Sequence, residues 1–513
     1  MGENSPKRTV HSKRNIVYGS LQTVISLILP FIVRTIIIYR FGANYLGLNS
    51  FFTSIISVLS LMDLGFSTAV VYSMYKPIAD GDNNLLCAYT AYYKKVYRII
   101  GLAILALGLA LMPFLKKLIC DPTLPGELNL YICYLIFLGN AVVSYLLYGY
   151  LSAIPIAHQR RDLLNCVDIG MIILKCLIQS LILLFTSFFY LYLVSILAVT
   201  IMRNLIVMLI VKAKYPNLEC KGDISRDQKH LLNRKVYGLM INRLTNVSRN
   251  SIDCMCISAF IGLTVTGMFA NYFFVVTTLA AFGNTICNSI IASVGNCIAT
   301  ESREKNYSDM RLFDFIYTAI SGWATVCMIC LYQPFISTWL GDKMILKISV
   351  PIGLSIYFYI LKSGDIRWVY HEGAGLWYEC RFIMFGEAIA NIVLNVLLCK
   401  IMGVFGIVLA TIISVFITNC ILCPRLIFKV YFKSRKLTEY WFDHLSYTVT
   451  MVVSCVLSWM MCEMMLQGTG FVVLAGRLLI CSAISAVVFW FVWHKSDRYE
   501  IAVRWITYIA TPC

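Results

Sequence analysis

The chain has 513 residues, of which 59% are hydrophobic and 13% are charged, and its formal net charge is +17. Soluble domains are about half apolar and about one quarter charged, so this composition excludes a soluble globular protein and favours a membrane protein. Lipid offers the backbone no hydrogen-bond partners, and the long unbroken apolar runs therefore predict transmembrane helices rather than the alternating strands of a barrel.

Fourteen apolar runs are long enough to cross a bilayer, which takes about 20 mostly apolar residues. The second run is longer than one span needs. The predicted spans are residues 16–39, 46–75, 96–115, 129–151, 163–186, 188–211, 237–261, 267–296, 314–336, 348–369, 380–400, 403–428, 444–466 and 470–493.

The distribution of positive charge predicts the orientation of these spans. Lys and Arg concentrate in the two terminal segments and in the loops that follow even-numbered spans, whereas the other loops contain few. The positive-inside rule then places both termini in the cytoplasm. The net charge faces anionic lipid headgroups and does not indicate nucleic-acid binding. No cleavable signal peptide is expected, because the polar, basic start is not followed by a small-residue cleavage site.

The predicted organisation is all-α: two six-helix bundles followed by two C-terminal helices. The turn FGANYLG, with Gly42 and Gly47, precedes the second span, and IGLTVTG, with Gly262 and Gly267, precedes the eighth. The equal spacing indicates a parallel repeat of six helices. The predicted divisions are a cytoplasmic N-terminus (1–15), an N-terminal bundle (16–211), a cytoplasmic linker (212–236), a C-terminal bundle (237–428), a cytoplasmic loop (429–443), helices 13 and 14 (444–493) and a cytoplasmic tail (494–513).

Four polar residues follow one another along the seventh span. Asn242, Asn246, Arg249 and Asp253 fall at i, i+4, i+7 and i+11, which places them on one face of a regular helix. Two interpretations remain open. Arg249 and Asp253 form an ion pair that neutralises itself, or the stripe lines a cavity that binds an anion.

Other ionisable residues lie inside the first and fifth spans. Asp168, Lys175 and Gln179 lie roughly on one face of the fifth span, with Lys175 near its centre. Two interpretations remain open for these residues: they line a cavity, or they form hydrogen bonds to a neighbouring helix. Arg34 follows Pro30 in the outer half of the first span, where its side chain faces the cavity or snorkels outward.

The second span contains an acidic residue in the motif LMDLGF. Asp63 lies too far along this span to pair with Arg34, so it contacts a basic inner loop or has a coupling or gating role. The intramembrane charges favour cations near the middle of the two bundles. A cationic cavity suits an anionic substrate such as a diphosphate, which Arg binds through its rigid fork and Lys as a point charge.

The 20 cysteines are scattered through apolar segments, without the spacing of zinc ligands. One C-x-x-C motif, Cys420 and Cys423, lies within an apolar run. These thiols are expected to pack as small hydrophobic groups, and neither a metal site nor a disulfide framework is expected. The sequence contains no Walker motif and no recognisable set of catalytic residues, so it does not predict an ATPase or another enzyme.

Several segments resemble bacterial polysaccharide flippases, which move O-antigen or capsule repeat units and belong to the multidrug/oligosaccharidyl-lipid/polysaccharide (MOP) flippase superfamily. FGANYLGL (41–48), LMDLGF (61–66) and YKPIADGD (75–82) carry the resemblance. Residues 249–273 are similar to the start of that family's second bundle, and 373–414 to its eleventh and twelfth helices. The chain departs from the family after Arg381, where a proline is usual, and the resemblance thins after about residue 430.

The resemblance implies alternating access between two bundles in a bacterial cytoplasmic membrane. It implies an undecaprenyl-diphosphate-linked oligosaccharide as substrate, membrane lipids as surroundings, and a polysaccharide polymerase and other assembly proteins as partners. No cofactor is implied beyond coupling to a proton or sodium gradient. Arg34 and Asp253 resemble polar sites of the family, whereas the roles of Lys175 and Arg249 follow from their position and charge.

Three alternatives stand beside this interpretation. A flippase for the peptidoglycan precursor lipid II would also have fourteen spans and a cationic cavity. A drug/cation antiporter of the same superfamily would have twelve spans and an acidic cavity. A polymerase or ligase needs a large external loop, and the longest one predicted here, residues 116–128, is too short.

Overall fold

A computed structural model describes residues 5–63, 65–120, 128–216, 218, 221–433 and 436–510. These residues form helices and no strand, which confirms the all-α class. The chain divides into two compact units, Met1–Gly267 and Met268–Cys513. The divisions predicted from the sequence remain a prediction.

The first unit contains ten helices and the first turn of an eleventh. They are α1 (Ser5–Arg40), α2 (Ala43–Leu59), α3 (Phe66–Asp80), α4 (Asn83–Leu111), α5 (Leu130–Leu146), α6 (Ala153–Ala157), α7 (Arg161–Phe185), α8 (Phe189–Lys214), α9 (Arg226–Val247), α10 (Asp253–Phe260) and α11 (Leu263–Thr300). The unit also has three 3₁₀ segments, Ser60–Asp63, Met112–Leu118 and Gly149–Ser152, and one π-helical turn, Ser248–Ile252.

The second unit contains the rest of α11 and nine further helices. They are α12 (Arg303–Leu340), α13 (Ser349–Lys362), α14 (Asp365–Gly373), α15 (Trp377–Met402), α16 (Val404–Phe416), α17 (Cys423–Ile427), α18 (Leu437–Met465), α19 (Phe471–Trp493) and α20 (Asp497–Ala510). A 3₁₀ turn spans Asp342–Met344, and π-helical turns span Ile417–Leu422 and Phe428–Phe432.

Ten helical stretches of the described residues are long and apolar enough to cross a membrane. The number becomes eleven if α5 and the segment Gly149–Ala157, which meet at an angle of 57°, form one span. The structure therefore has the helices of a multi-pass membrane protein. The count of fourteen and the cytoplasmic location of both termini stay predictions.

Three further predicted spans, the second, seventh and tenth, correspond to segments in which the helix is interrupted. The second span, 46–75, is divided into α2 and α3 by the 3₁₀ segment Ser60–Asp63 and by Gly65, whose φ of 77° is a conformation that glycine adopts without strain. The tenth is divided between α13 and α14. The seventh is interrupted by the π-helical turn Ser248–Ile252. The sequence predicts each of these segments as one span, and the structure interrupts the helix in each of them.

The two glycine turns identified in the sequence each contain the same type of backbone hydrogen bond. The Gly42 amide donates to the Ile37 carbonyl at 3.0 Å, and the Gly262 amide donates to the Ile257 carbonyl at 2.9 Å. Both glycines have positive φ, 95° and 127°. The two donors are 220 residues apart along the chain, and so are the two acceptors. Asn44 and Thr264, whose side chains are hydrogen-bonded to each other, have the same separation. The structure confirms that these two turns correspond.

Helices α2 and α11 cross closely just after these turns. A Cβ atom on Gly47 would lie 1.9 Å from the Leu263 carbonyl oxygen, and one on Gly267 would lie 2.1 Å from the Ala43 carbonyl oxygen. The contact is symmetric, since each glycine faces the first residue of the other helix. Glycine is needed at both positions because backbone atoms occupy the space that a side chain would take.

Gly47→Ala and Gly267→Ala are each expected to destabilise the protein by about 1–3 kcal/mol, the usual cost of an overpacked contact. Thermal unfolding of the purified protein in detergent measures the effect. Gly139→Ala in α5 is the matched control, because a Cβ atom there meets no atom within 4 Å. Equal melting temperatures for all three variants would contradict the close crossing.

Candidate functional site

The start of α7, the helix that carries Lys175, is fixed to α1 by polar contacts. The Asn15 side chain accepts from the Asp162 amide at 2.7 Å and donates to the Gln159 carbonyl at 2.9 Å. Arg160 binds the Asp162 carboxylate through two nitrogens, at 2.9 and 3.1 Å. This hydrogen bond raises the pKa of the Arg160 guanidinium. The orientation of α7 about its axis is thereby set at one end.

The polar residues predicted along the fifth span lie on α7, which is one unbroken helix. Asp168 is paired with Arg203 of α8, with Nε and Oδ1 2.6 Å apart. The sequence interpretation missed Arg203, although it lies inside the sixth apolar run, where any charge needs a partner. Asp168 therefore contacts a neighbouring helix, which is one of the two roles predicted for it.

Lys175 differs from Asp168 because it has no acidic partner among the residues that the structure describes. It is half-buried near the middle of α7, and it makes no ion pair or hydrogen bond with any residue that the structure describes. Gln179, one turn further along, is buried, and its side-chain nitrogen has no hydrogen-bond partner among the described residues. An ammonium group and an amide donor therefore lie one turn apart on α7, and neither has an acceptor among the described residues.

Arg34 belongs to a polar cluster formed by four helices of the first unit. Its guanidinium lies close to Tyr192 of α8 and Cys254 of α10. Tyr192 in turn is hydrogen-bonded to the side chain of Asn49 of α2. We call Arg34, Asn49, Tyr192 and Cys254 the Arg34 cluster.

The polar stripe predicted along the seventh span is not continuous. Arg249 lies within the π-helical turn, and Asp253 begins α10 after it. A π-helical turn inserts about one extra residue, which rotates everything after it by roughly a quarter turn. The prediction that four residues share one face was therefore wrong for Asp253. Arg249 and Asp253 are both buried, whereas the side chains of Asn242 and Asn246 lie outside the described residues.

Asp63 ends the 3₁₀ segment between α2 and α3, and only 7% of its surface is exposed. Its carboxylate lies close to Tyr93 of α4. The break exposes backbone groups that a continuous helix would have paired, so polar side chains are useful there. A buried carboxylate at a helix break fits either of its predicted roles.

The second unit contains a buried charge network that the sequence interpretation passed over. Lys362, the last residue of α13, is 2% exposed and binds Asp365 at 2.6 Å and Asn284 at 2.8 Å. The Tyr317 hydroxyl donates to the same Asp365 carboxylate at 2.7 Å. A Cβ atom on Gly283 would lie 2.4 Å from that hydroxyl, so the glycine makes room for the network.

The network could have been recognised from the segment KSGDIRW (362–368) inside the tenth apolar run. The sequence predicts one continuous span, residues 348–369, which contains this segment. Arg367 in the same segment is 2% exposed and donates to the Tyr440 hydroxyl at 2.9 Å. Ionisable residues within an apolar run, next to glycine, indicate a broken helix around a polar site, as at Asp63 and Gly65.

Lys362→Met is expected to destabilise the protein by about 3–5 kcal/mol, because it leaves the Asp365 carboxylate without its cation in a buried position. Chemical unfolding in mixed detergent measures the loss. Lys362→Met/Asp365→Asn is expected to recover part of the stability, since the unpaired charge is removed. Lys343→Met, at an exposed lysine, is the control. A double variant no more stable than the single one would contradict the pairing.

Comparison with known proteins identifies the fold. No protein-family model matches the sequence, and no curated protein matches it. Among solved structures, the lipid II flippase MurJ in an inward closed conformation is similar with a TM-score of 0.65 and 14% identity, over 93% of this chain and 99% of that chain. An inward-facing MATE family multidrug resistance transporter of the MOP superfamily has a TM-score of 0.64 and 12% identity, over 78% of this chain and 92% of that one.

A eukaryotic MATE transporter is also similar, with a TM-score of 0.55 and 12% identity, over 85% of this chain and 99% of that chain. The chain shares its fold with these three proteins. These three neighbours are flippases or transporters rather than enzymes. At 12–14% identity the similarity establishes the shared fold, which spans almost the whole of the MurJ chain.

Proposed function

We propose that this protein is a flippase that moves undecaprenyl-diphosphate-linked oligosaccharide repeat units from the cytoplasmic to the outer leaflet of a bacterial cytoplasmic membrane. Translocation would proceed by alternating access and would supply surface polysaccharide synthesis. The MOP fold supports transport or flipping in general, and the polysaccharide-flippase resemblance of residues 41–82 supports this substrate class.

Lys175 is the observation that carries the substrate proposal. A cation at membrane depth is costly, and it persists where a bound anion or water-filled cavity compensates it. Asp168, its neighbour along α7, is already neutralised by Arg203. Lys175 is therefore available to the diphosphate of a lipid-linked sugar, while Arg34 and Arg249 supply further positive charge in the same unit.

A lipid II flippase is the second candidate, and the similarity to MurJ favours it. Its substrate carries the same polyprenyl-diphosphate chemistry, so the cationic residues serve both proposals equally. A drug/cation antiporter is less well supported, because cationic substrates need acidic side chains that are free to bind them. In the first unit Asp168 is instead committed to an ion pair, and the buried residues Asp63 and Asp253 also have interactions within the protein.

Coupling to a proton or sodium gradient and a gating role for Asp63 are part of the proposal. Asp63 is buried at the break between α2 and α3, where a change in its protonation or ion binding would act on the angle between two half-helices. Asp63→Asn is expected to abolish any dependence of transport on the gradient while the protein remains folded. Unchanged gradient dependence in this variant would remove Asp63 from the coupling mechanism.

Transport by reconstituted protein tests the substrate. Full-length protein is placed in liposomes with a polyprenyl-diphosphate oligosaccharide, and a membrane-impermeant glycosidase reports the fraction that reaches the outer face. Lys175→Ala and Arg249→Ala are expected to lower the rate about tenfold or more, because a hydrogen bond to a charged group contributes about 1.5–3 kcal/mol. Lys175→Arg keeps the charge and should retain most of the activity.

Lys343→Ala, at an exposed lysine outside the candidate site, is the matched control and should transport normally. Wild-type rates in both Lys175→Ala and Arg249→Ala would overturn the role assigned to these cations. The same liposomes loaded with lipid II distinguish the two flippase proposals, since a clear preference for lipid II would favour the second candidate.

A further inference from the structure

Four cysteines of the second unit converge where α12, α18 and α19 pack together. Cys330, Cys462 and Cys481 are only 3%, 1% and 0% exposed, and their Sγ atoms all lie within 4.8 Å of one another. We call these three residues the thiol triad. Cys327, one turn before Cys330 on α12, lies beside Cys481 as a fourth sulfur.

The spacing of the thiol triad is close to that of sulfurs around one metal ion. A Zn–S bond of about 2.3 Å places the ligand sulfurs of a tetrahedral site about 3.8 Å apart. The sulfurs of the triad therefore need to approach by at most about 1 Å, which small side-chain rotations provide. Packing alone requires small apolar groups, and it does not require sulfur from three separate helices to meet at one point.

The surroundings suit a metal–thiolate complex of low net charge. Val326, Met451 and Ile480 pack around the cluster and exclude water. Arg477, one turn from Cys481, is 6% exposed, and its guanidinium donates to the Cys330 carbonyl at 3.2 Å. A divalent ion with three thiolates carries one negative charge. Arg477 also pairs with Glu463, with Nη2 and Oε1 3.1 Å apart, so its guanidinium offsets only part of that charge.

A cavity is lined both by two members of the thiol triad and by exposed carboxylates. It has a volume of about 260 Å³ and is lined by Cys330, Cys462 and Arg477, as well as by Asp342 and Glu463. The last two are exposed. Glu463 is paired with Arg477, and Asp342 is a further exposed carboxylate of the lining. The cavity therefore gives a cation access to Cys330 and Cys462.

We propose that the thiol triad binds one thiophilic metal ion, Zn²⁺ or Cu⁺, and that the ion ties α18 and α19 to α12. Thiolates select these ions over Mg²⁺ or Ca²⁺, which prefer oxygen ligands. Each sulfur that binds the ion releases its proton to water, and no electron is transferred. Cys327 is placed to complete a four-sulfur set for Zn²⁺, which prefers tetrahedral coordination.

Metal content tests the proposal directly. Full-length protein is purified in detergent, equilibrated separately with Zn²⁺ or, anaerobically, with Cu⁺, and freed of excess ion before elemental analysis. About one ion per chain is expected from one of the two metals, together with a higher melting temperature that a chelator reverses. Cys481→Ser is expected to lose most of the ion. Cys399→Ser, at a buried cysteine elsewhere in the same unit, is the matched control and should retain it.

A second measurement on the unaltered protein covers the case in which Cys481→Ser does not fold. Alkylation is followed in denaturant, where these buried thiols become accessible. The bound ion is expected to slow alkylation of Cys330, Cys462 and Cys481 at least severalfold, as read by peptide mass spectrometry, and to slow that of Cys399 less. Three results would overturn the proposal: no bound ion with either metal, full metal content in Cys481→Ser, or a disulfide between two members of the triad.

Discussion

The structure depends on one constraint: backbone groups inside hydrocarbon must find hydrogen-bond partners within the protein. Long apolar runs satisfy it by forming helices such as α7 and α8. The breaks at Gly65 and between Lys362 and Asp365 are therefore informative, because each leaves backbone groups that need other partners. Both contain an acidic residue, and in the second unit it is held in a network of hydrogen bonds. Polar chemistry and helix breaks occur together for this reason.

The same constraint separates structural charges from candidate functional ones. Asp168 with Arg203, and Lys362 with Asp365, neutralise each other and stabilise the packing of their helices. Lys175 has no such partner among the described residues, so its charge remains available for a ligand. This difference, rather than the mere presence of charge in a span, supports an anionic substrate. The close crossing of α2 and α11 depends on a different feature, the absence of side chains at Gly47 and Gly267.

The helical class and the paired glycine turns could be predicted from the sequence, since both follow from local patterns of apolar residues and glycine. Hydropathy alone does not register the breaks in the second, seventh and tenth runs, because it averages over a turn. In the second and tenth runs the ionisable residues beside glycine indicate the break, whereas the π-helical turn of the seventh run has no such signal. The Asp168–Arg203 pair and the thiol triad join residues from different helices. Their spacing along the chain contains no signal, since only tertiary packing brings Cys330, Cys462 and Cys481 together.

The lipids of a strain that lacks this protein test the central claim most directly. Mass spectrometry of extracted lipids would identify polyprenyl-diphosphate sugars, and a membrane-impermeant glycosidase applied to spheroplasts would report which leaflet holds them. The account predicts that one complete, unpolymerised repeat unit accumulates in the inner leaflet while the surface polysaccharide disappears. An intact surface polysaccharide without such accumulation would contradict it.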